Sequence, residues 1–276
     1  MAQRPIITLT TDFGLNDHFV GTVKGVILGI VPDVEIVDIC HSVQAFDVLD
    51  GALTIAQAYS YFPTSTVHLV VVDPGVGTER RPILASTEKH HFVAPDNGVL
   101  SLIYSREERM SVRHITAEHY SLQPVSNTFH ARDIFAPVAA WLAKGVDTEK
   151  FGAEIDDFVR FNAPTPKPVD DKTLRGVVLK VDRFGNLVTN ITTHDAPSLF
   201  AAQPAPFKML VGKREITEMH SNYAEGVPGE VFLIAGSMGY LEIAANRASA
   251  AQIIGAGKGS DVNVTVEGAA AAGNGQ

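Results

Sequence analysis

Asp73 and Arg80 are the two side chains whose types and spacing most directly suggest chemistry. Asp73 follows an apolar run at residues 67–72, which is broken only by His68 and predicts a buried strand. Pro74 and the glycines at 75 and 77 allow a sharp turn, so Arg80 can return to the Asp73 carboxylate. An acid just beyond a strand of a parallel sheet lies where such sheets bind ligands. A turn-capping Asp73 with a solvated Arg80 is the alternative interpretation.

Other polar residues follow predicted strands or precede predicted helices in the same way. Oxygen and nitrogen donors of this kind could hold a metal ion. The candidates are Asp12, Asp17, His18, Asp73, Asn97 and His130. The chain has no tight ligand spacing such as His-Glu-x-x-His, and Arg80 would place a fixed cation beside Asp73. We therefore predict no metal. The glycines at 75 and 77 lack the third glycine of a dinucleotide-binding motif, and no Gly-Lys-Ser/Thr follows a glycine loop as in a P-loop.

The elements that would position these residues alternate over roughly the first 150 positions. Strands are predicted at 6–11, 34–39, 67–72 and 92–94, and helices at 18–30, 49–62 and around 139–142. This alternation predicts a mostly parallel α/β sheet of sandwich type, covered by helices. In the first helix, Gly25 and Gly29 lie on a face that could pack closely on the sheet.

The pattern changes after a proline-rich stretch. Further strands are predicted at 176–182, 187–192, 207–211, 231–235, 241–244 and 262–266, separated by turns, as in a small antiparallel β-barrel. We therefore predict an α/β N-terminal domain at 1–161, a linker at 162–172 and a β-barrel C-terminal domain at 173–267. The Gly- and Ala-rich tail at 268–276 is predicted to be disordered.

Composition narrows the classes of function. The chain has 276 residues and a net charge of −9, without a cluster of Lys and Arg, which argues against nucleic-acid binding. Cys40 is the single cysteine, so no internal disulfide can form and a reducing compartment fits. The sequence contains no run of about 18 apolar residues, so we predict no membrane span. We expect a cytoplasmic protein that binds neither nucleic acid nor a membrane.

In the C-terminal part, Asp182 and Asn186 flank a tight turn. The two side chains could hold an ammonium and a carboxylate or amine group. The alternative is an Asx-type turn that serves only the hairpin. Residues 237–240 and the pair Asn246 and Arg247 could likewise be ordinary turn and helix-entry residues.

Six short segments together resemble the S-adenosyl-L-methionine hydroxide adenosyltransferases, also called adenosyl-forming S-adenosylmethionine hydrolases, which are relatives of the fluorinases and chlorinases. The segments are 10–14 (Thr-Thr-Asp-Phe-Gly), 73–77 with Arg80, 94–98, 128–133, 182–186 and 237–241. They occur in order from about residue 6 to residue 266. The resemblance implies a homotrimer that binds its substrate between the N-terminal domain of one subunit and the C-terminal domain of a neighbour. It implies no cofactor.

The resemblance also implies roles for single residues. Asp73, Arg80 and His130 look like the triad that holds an attacking water, with Asp73 and His130 accepting its hydrogen bonds. The implied substrate-binding residues are Asp12 at the ribose, Asp182, Asn186 and Ser237 at the methionine end, Tyr240, Asn246 and Arg247 at the adenine edge, and Asp17, Asn97 and Asp73. Met238 stands where fluorinases have an arginine, so the methionine carboxylate must be held differently.

The implied reaction is hydrolysis of S-adenosyl-L-methionine at ribose C5′, giving adenosine and L-methionine. Water is the expected nucleophile because Asp73 would repel a halide and Ala131 offers no donor where fluorinases have a serine. A halide-dependent adenosyltransferase is the alternative within the family. A metal-dependent phosphohydrolase and a non-catalytic nucleoside-binding protein are alternatives of other classes.

Overall fold

The structure is a computed structural model that describes residues 4–201 and 203–267. The chain divides into two compact units, an N-terminal unit ending at Ala163 and a C-terminal unit beginning at Pro164. This division falls inside the stretch predicted as a linker, of which Lys167–Pro168 form a short strand. The tail predicted to be disordered, 268–276, lies outside the described residues.

A six-stranded sheet forms the centre of the N-terminal unit, in the order β2-β1-β3-β5-β4-β6. Neighbouring strands β2, β1, β3 and β5 are parallel, whereas β4 pairs antiparallel with β5 and β6. The predicted mostly parallel α/β sheet is confirmed, but the sequence patterns did not show β4 and β6. The strands are β1 (Ile6–Thr11), β2 (Glu35–Cys40), β3 (Thr66–Val71), β4 (Pro82–Thr87), β5 (His90–Pro95) and β6 (Met110–His114).

Helices pack against this sheet. The helices are α1 (Phe19–Ile30), α2 (Val48–Ala58), α3 (Ser101–Tyr104) and α4 (Ala136–Ala143). Val23 and Ile27 of α1 share one buried core with α4 and the sheet. A Cβ at Gly25 or Gly29 would meet no atom within 4 Å, so the predicted close packing at these glycines is wrong. None of the helices in the described ranges is long and apolar enough to cross a bilayer.

The sheet topology determines where the polar residues lie. Strands β1, β3 and β5 are neighbours and run parallel, so their carboxyl ends share one edge. Asp12 follows β1 directly, Asp73 comes two residues after β3, and Asp96 follows β5. All six residues of β3 are buried, as expected for a strand covered on both faces. The chain therefore brings three carboxylates to one edge of the sheet.

The C-terminal unit is an eight-stranded antiparallel sheet in the order β11-β10-β14-β8-β9-β13-β12, with β7 beside β8. It curls into a nearly closed barrel, which confirms the predicted fold class. Its core contains Val178, Leu187 and Leu233. The remaining elements are β7 (Lys167–Pro168), β8 (Thr173–Val181), β9 (Leu187–Thr192), β10 (Phe207–Val211), β11 (Arg214–Ile216), β12 (Val231–Ala235), β13 (Tyr240–Ala245), α5 (Ala250–Ile254) and β14 (Asp261–Val266).

Asp96 holds the loop after β5 in place, and we expect Asp96→Asn to destabilise the N-terminal unit. Its buried carboxylate accepts hydrogen bonds from Arg81 Nε at 2.9 Å, Arg81 Nη2 at 2.7 Å and Val159 N at 2.8 Å. An amide cannot accept all three, so the free energy of unfolding should fall by about 1–3 kcal/mol. Urea denaturation at pH 7 measures this change.

Asp157→Asn is the matched control. Asp157 also pairs with Arg81, at 2.7 Å, but its side chain is 72% exposed. An exposed ion pair contributes little, so we expect a change below about 1 kcal/mol. Equal losses in the two variants would contradict the assignment of Asp96 as the residue that anchors this loop.

Candidate active site

Asp73, Arg80 and His130 meet at the carboxyl edge of the N-terminal sheet. Arg80 Nε donates a hydrogen bond to Asp73 Oδ1 at 2.9 Å, and Arg80 Nη2 donates to Asp73 Oδ2. The same Nη2 lies 2.8 Å from His130 Nδ1. The guanidinium therefore joins a residue that follows β3 to a residue at the start of the helical turn Ala131–Phe135, which leads into α4, and the three predicted triad residues are in contact.

The turn between Asp73 and Arg80 depends on Gly77. This glycine has φ of +77°, and a Cβ there would lie 2.0 Å from the carbonyl oxygen of Asn127. Thr78 Oγ1 closes the turn by donating to the carbonyl oxygen of Gly75 at 2.7 Å. Only glycine allows both this conformation and this close approach. The turn therefore packs directly on the chain segment that leads to His130.

Burial makes the Arg80–Asp73 pair electrostatically significant. The side chains of Arg80 and Asp73 are 9% and 6% exposed. The guanidinium also stacks over the Phe135 ring, with Cζ 5.1 Å from the ring centroid. Removing either charged partner would leave the other buried and uncompensated. Arg80 Nη1 is buried and has no hydrogen-bond partner in the part of the chain that the structure describes, so it is a free donor beside the pair.

Arg80 also determines which nitrogen of His130 carries the proton. A guanidinium donates and does not accept, so His130 Nδ1 must be the acceptor and the neutral ring carries its proton on Nε2. Burial, together with the Arg80 charge, lowers the pKa of His130 below its ordinary value of 6.5. The imidazole is therefore neutral at pH 7 and offers an Nε2–H donor. In this arrangement Asp73, and not His130, is the hydrogen-bond acceptor for a bound water.

A cavity of about 240 Å³ opens beside this cluster. Asp12 lines it, and the Asp12 carboxylate accepts a hydrogen bond from the backbone of Phe46 at 2.9 Å. Aromatic rings form much of the remaining wall, which suits an apolar or planar ligand group placed between carboxylates. The cavity is lined by Asp12, Phe13, Phe19, Ala45, Phe46, Val71, Asp73, Val76, Thr128, Phe129, His130 and Ala131.

Two residues predicted to bind substrate are not part of this lining. Asn97 uses both polar atoms of its side chain on the backbone, donating to the Val72 carbonyl at 2.8 Å and accepting from Val99 N at 3.1 Å. It therefore ties the loop after β5 to the end of β3. Asp17 is exposed, in the loop between β1 and α1.

The C-terminal unit has its own cavity, of about 800 Å³. Four of the predicted residues line it, namely Asp182, Asn186, Ser237 and Arg247. Asp182 accepts three hydrogen bonds at 2.8 Å, from Phe184 N, Asn186 N and Asn186 Nδ2. The Asx-type turn and the cavity-facing acid, treated above as alternatives, thus occur together. Tyr240 and Asn246 do not line the cavity, and Asn246 Nδ2 donates to the Gly226 carbonyl at 2.8 Å.

Sequence reasoning missed Glu242, which lines the same cavity. Tyr223 donates a hydrogen bond to its carboxylate at 3.3 Å. Gly236 makes room for it, because a Cβ there would lie 2.0 Å from Glu242 Oε1. Burial, and then the nearby Asp182 carboxylate, raise the pKa of Glu242. One signal could have revealed it: Glu242 is the charged residue between the buried Leu241 and Ile243 of β13, so it must face away from the barrel core.

The described ranges contain no group of three or more His, Cys, Asp or Glu side chains that could hold a metal ion. The N-terminal edge instead carries a carboxylate, a guanidinium and a neutral imidazole in contact. A chain with this cluster, and with a second, acidic cavity in a barrel unit, is a two-unit protein equipped to bind a small polar molecule.

Two family descriptions match the chain: SAM hydroxide adenosyltransferase N-terminal domain over residues 7–152 and SAM hydroxide adenosyltransferase C-terminal domain over residues 176–263. These two matches cover most of both units. The chain belongs to the SAM hydroxide adenosyltransferase family.

Relatives match over nearly the whole chain. A protein of Salinispora tropica named (R)-S-adenosyl-L-methionine hydrolase is 37% identical over 96% of this chain and 99% of its own length. A fluorinase of Nocardia brasiliensis is 30% identical over 96% of this chain and 98% of its own length. The crystal structure of an uncharacterised conserved protein from Thermotoga maritima superposes with a TM-score of 0.87 at 36% identity, covering 94% and 99% of the two chains.

The Arg80–His130 contact predicts a measurable titration. Removing the Arg80 charge in Arg80→Gln should raise the pKa of His130, because the cation no longer opposes protonation and Asp73 favours it. Titration of the His130 ring signals by NMR should therefore show a midpoint below 6.5 in the wild type and a higher midpoint in the variant.

Arg81→Gln is the control, since Arg81 is the next residue but binds Asp96 and Asp157. It should leave the His130 midpoint unchanged. An unchanged midpoint in Arg80→Gln would show that the guanidinium does not act on this imidazole.

Proposed function

We propose that the protein hydrolyses S-adenosyl-L-methionine to adenosine and L-methionine by attack of water on ribose C5′. The observation that carries this proposal is the buried Asp73–Arg80–His130 contact beside a cavity that also contains Asp12. Relatives of 37% and 34% identity that bear the name (R)-S-adenosyl-L-methionine hydrolase support it. Relatives named fluorinase fit the alternative reaction, but they match at the lower identities of 30% and 28%, so its support is weaker.

The chemistry needs a positioned nucleophile more than it needs an acid. The sulfonium leaves as a neutral thioether, so no proton has to reach the leaving group. A water held in line with the C5′–S bond and shielded from bulk solvent is what the site must provide. The new O–C5′ bond forms as the C5′–S bond breaks, with its electron pair going to sulfur.

The triad can supply that nucleophile. Asp73 accepts the hydrogen bond of the water and receives its proton during attack. His130 orients the oxygen through its Nε2–H, and Arg80 holds the carboxylate and the ring in their positions. The buried guanidinium also stabilises hydroxide-like charge on the attacking oxygen. The proton then passes from Asp73 to solvent.

We assign the remaining contacts to the parts of the substrate. Asp12 binds the ribose hydroxyls, and Asp182, Asn186 and Ser237 bind the methionine end, where Glu242 adds a second carboxylate for the ammonium group. The resemblance implied a place for Arg247 at the adenine edge, but Arg247 lines the cavity of the methionine end, so we assign it instead to the methionine carboxylate, the role that Met238 cannot perform. Tyr240 and Asn246 edge the adenine, and Asp17 and Asn97 act in support of the site. No cofactor takes part.

Water, and not halide, is the proposed nucleophile. The Asp73 carboxylate lines the cavity where a halide would have to sit, and its oxygens can accept hydrogen bonds but cannot donate one to a halide. Ala131 contributes no side-chain donor to compensate. A neutral water can instead donate to Asp73, so the same carboxylate that repels a halide favours hydrolysis.

Product analysis tests the reaction. The purified protein with S-adenosyl-L-methionine should release adenosine and methionine, at the same rate in halide-free buffer and in high chloride. Asp73→Asn should lower kcat by about 10²- to 10⁴-fold with little change in KM, because the lost group acts in the transition state. Chromatography with mass detection identifies the products, and the exposed Asp157→Asn serves as the control.

Each alternative has its own outcome. A 5′-halo-5′-deoxyadenosine as the major product would favour the halide-dependent adenosyltransferase. Binding of S-adenosyl-L-methionine without turnover would favour the nucleoside-binding protein. Loss of activity after chelation, with metal found by elemental analysis, would favour the phosphohydrolase. Release of adenine or methylthioadenosine would contradict hydrolysis at C5′.

We further propose a cytoplasmic homotrimer in which one subunit's N-terminal cavity and a neighbour's C-terminal cavity bind the same substrate. The resemblance to the family motivates this arrangement, and the presence of a candidate half-site in each unit supports it. A cytoplasmic location fits the single Cys40.

Mixing inactive chains tests the sharing of sites. Asp73→Ala and Asn186→Ala chains should each be inactive, but unfolding and refolding them together should restore activity, because some sites then combine two intact halves. Asp73→Ala mixed with Arg80→Gln is the control, since both changes damage the same half and should restore nothing. Equal behaviour of the two mixtures would argue for sites contained within single subunits.

A further inference from the structure

We propose that a chain of four side chains, Thr11, His41, Asp38 and Lys24, positions the Asp12 carboxylate, and that His41 is the central positioning residue of the ribose-binding edge. We call these four residues the His41 chain. The proposal deepens the function proposed above and rests on it for the role of Asp12 at the ribose.

The His41 chain links two strands and a helix through short contacts. Thr11 Oγ1, at the end of β1, lies 2.8 Å from His41 Nδ1. His41 Nε2 lies 3.0 Å from Asp38 Oδ1 in β2, and Lys24 of α1 donates to Asp38 Oδ2 at 2.6 Å. Thr11 and His41 are 2% and 6% exposed, so these two members of the His41 chain are shielded from water.

The hydrogen bonds of the His41 chain can all run in one direction. The backbone N–H of Phe13 donates to Thr11 Oγ1 at 3.3 Å, which leaves the hydroxyl proton to donate to His41 Nδ1. His41 Nδ1 is then the acceptor, and Nε2 faces Asp38. The lysine ammonium compensates the charge of that carboxylate. Among the described residues His41 Nε2 makes no well-aligned hydrogen bond, so its 3.0 Å contact with Asp38 Oδ1 is an electrostatic contact.

The same residues hold the backbone on both sides of Asp12. Thr11 precedes Asp12 and contacts the His41 ring, while Gly14 N donates to the His41 carbonyl oxygen at 2.7 Å. Val43 N also donates to the Thr11 carbonyl oxygen, at 3.3 Å. The loops that follow β1 and β2 are therefore fastened to each other around His41.

The far end of the second loop holds the Asp12 side chain itself. Phe46, whose backbone N–H donates to the Asp12 carboxylate at 2.9 Å, has a positive φ of 65°. A bulky residue keeps such a conformation only when its surroundings impose it. His41 lies five residues before Phe46, and its contacts with Thr11 and Gly14 hold the beginning of the loop that carries this donor.

The order Asp38, His41, Thr11 is that of a nucleophilic triad, but the geometry excludes this role. Thr11 Oγ1 is buried and Thr11 does not line the cavity, so its hydroxyl cannot reach a ligand there. The His41 chain therefore acts on Asp12 and makes no contact with the substrate.

Ligand discrimination gives the sharpest test. Adenosine and 2′,3′-dideoxyadenosine differ in the two ribose hydroxyls that Asp12 is proposed to bind. Wild-type protein should bind adenosine more tightly, and Asp12→Ala should remove most of that preference. His41→Ala and Thr11→Val should lower the preference about tenfold, with the affinity for the dideoxy compound unchanged. Isothermal titration calorimetry measures both affinities.

His41→Asn is the conservative variant, because its side-chain oxygen can still accept the Thr11 hydroxyl, and it should keep most of the preference. In an Asp12→Ala background, His41→Ala should have no further effect on the preference. His68→Ala is the matched control: His68 pairs with Thr8 of β1 at 2.7 Å, and both are fully buried, but neither lines the cavity. It should lower stability and leave the preference unchanged.

The outcomes separate the two proposals. If wild-type protein binds neither compound and does not turn over S-adenosyl-L-methionine, the proposed function fails. If Asp12→Ala removes the preference while His41→Ala and Thr11→Val both retain it fully, the positioning role is overturned. Should His41→Ala not fold, Thr11→Val and Asp38→Asn decide the question, because both keep the shape of the replaced side chain.

Discussion

The N-terminal site depends on one guanidinium. Arg80 donates hydrogen bonds to both carboxylate oxygens of Asp73 and to His130 Nδ1. A single side chain therefore orients the Asp73 carboxylate, determines the tautomer of His130 and sets the distance between the two segments that carry them. Because the pair is buried, its geometry must be good for its charges to be tolerated. That requirement explains Gly77, which brings the turn carrying Arg80 against the segment before His130.

The sheet imposes the second constraint. Adjacent parallel strands place their carboxyl ends side by side, so Asp12 and Asp73 reach one cavity without any long-range adaptation of the loops. The strand positions do not determine the orientation of these side chains, because a loop residue can adopt many conformations. Backbone donors and buried side chains solve it: Phe46 N holds Asp12, Asn97 ties the end of β3, and Asp96 holds the loop after β5.

Sequence patterns predicted the parts of the fold that local physics determines. A β-branched run that stops on an acid gave β3 and Asp73, and helix periodicity gave α1. The same patterns did not reveal β4, a strand that begins with Pro82 and ends in Ser86 and Thr87 and so lacks a clear apolar signal. The prediction of close packing at Gly25 and Gly29 was wrong, because small residues permit close packing but do not require it.

Spacing and turn residues predicted the Asp73–Arg80 contact, but the rest of the site was predictable only as far as the resemblance reached. No spacing in the sequence shows that Arg80 contacts His130, because the three strands β4, β5 and β6 and several loops separate the two residues. Sequence reasoning did not predict Glu242, because a single charged residue in a strand is ordinary on a barrel surface. Its place in the cavity and its contacts with Tyr223 and Gly236 show that it is partly enclosed. Three-dimensional contacts, and not local propensity, decide such assignments.

The distribution of charge connects the two units to the proposed chemistry. Each cavity contains two carboxylates, Asp12 and Asp73 in one and Asp182 and Glu242 in the other. In the first, Arg80 already compensates Asp73, so the negative charge left for a ligand is that of Asp12. In the second, burial and then repulsion from the Asp182 carboxylate raise the pKa of Glu242. A cationic ligand relieves that repulsion, and a sulfonium amino acid carries its ammonium group at the end proposed to bind there. An anionic nucleophile would meet carboxylates in either cavity, whereas a neutral water can donate to the acceptor that Asp73 provides.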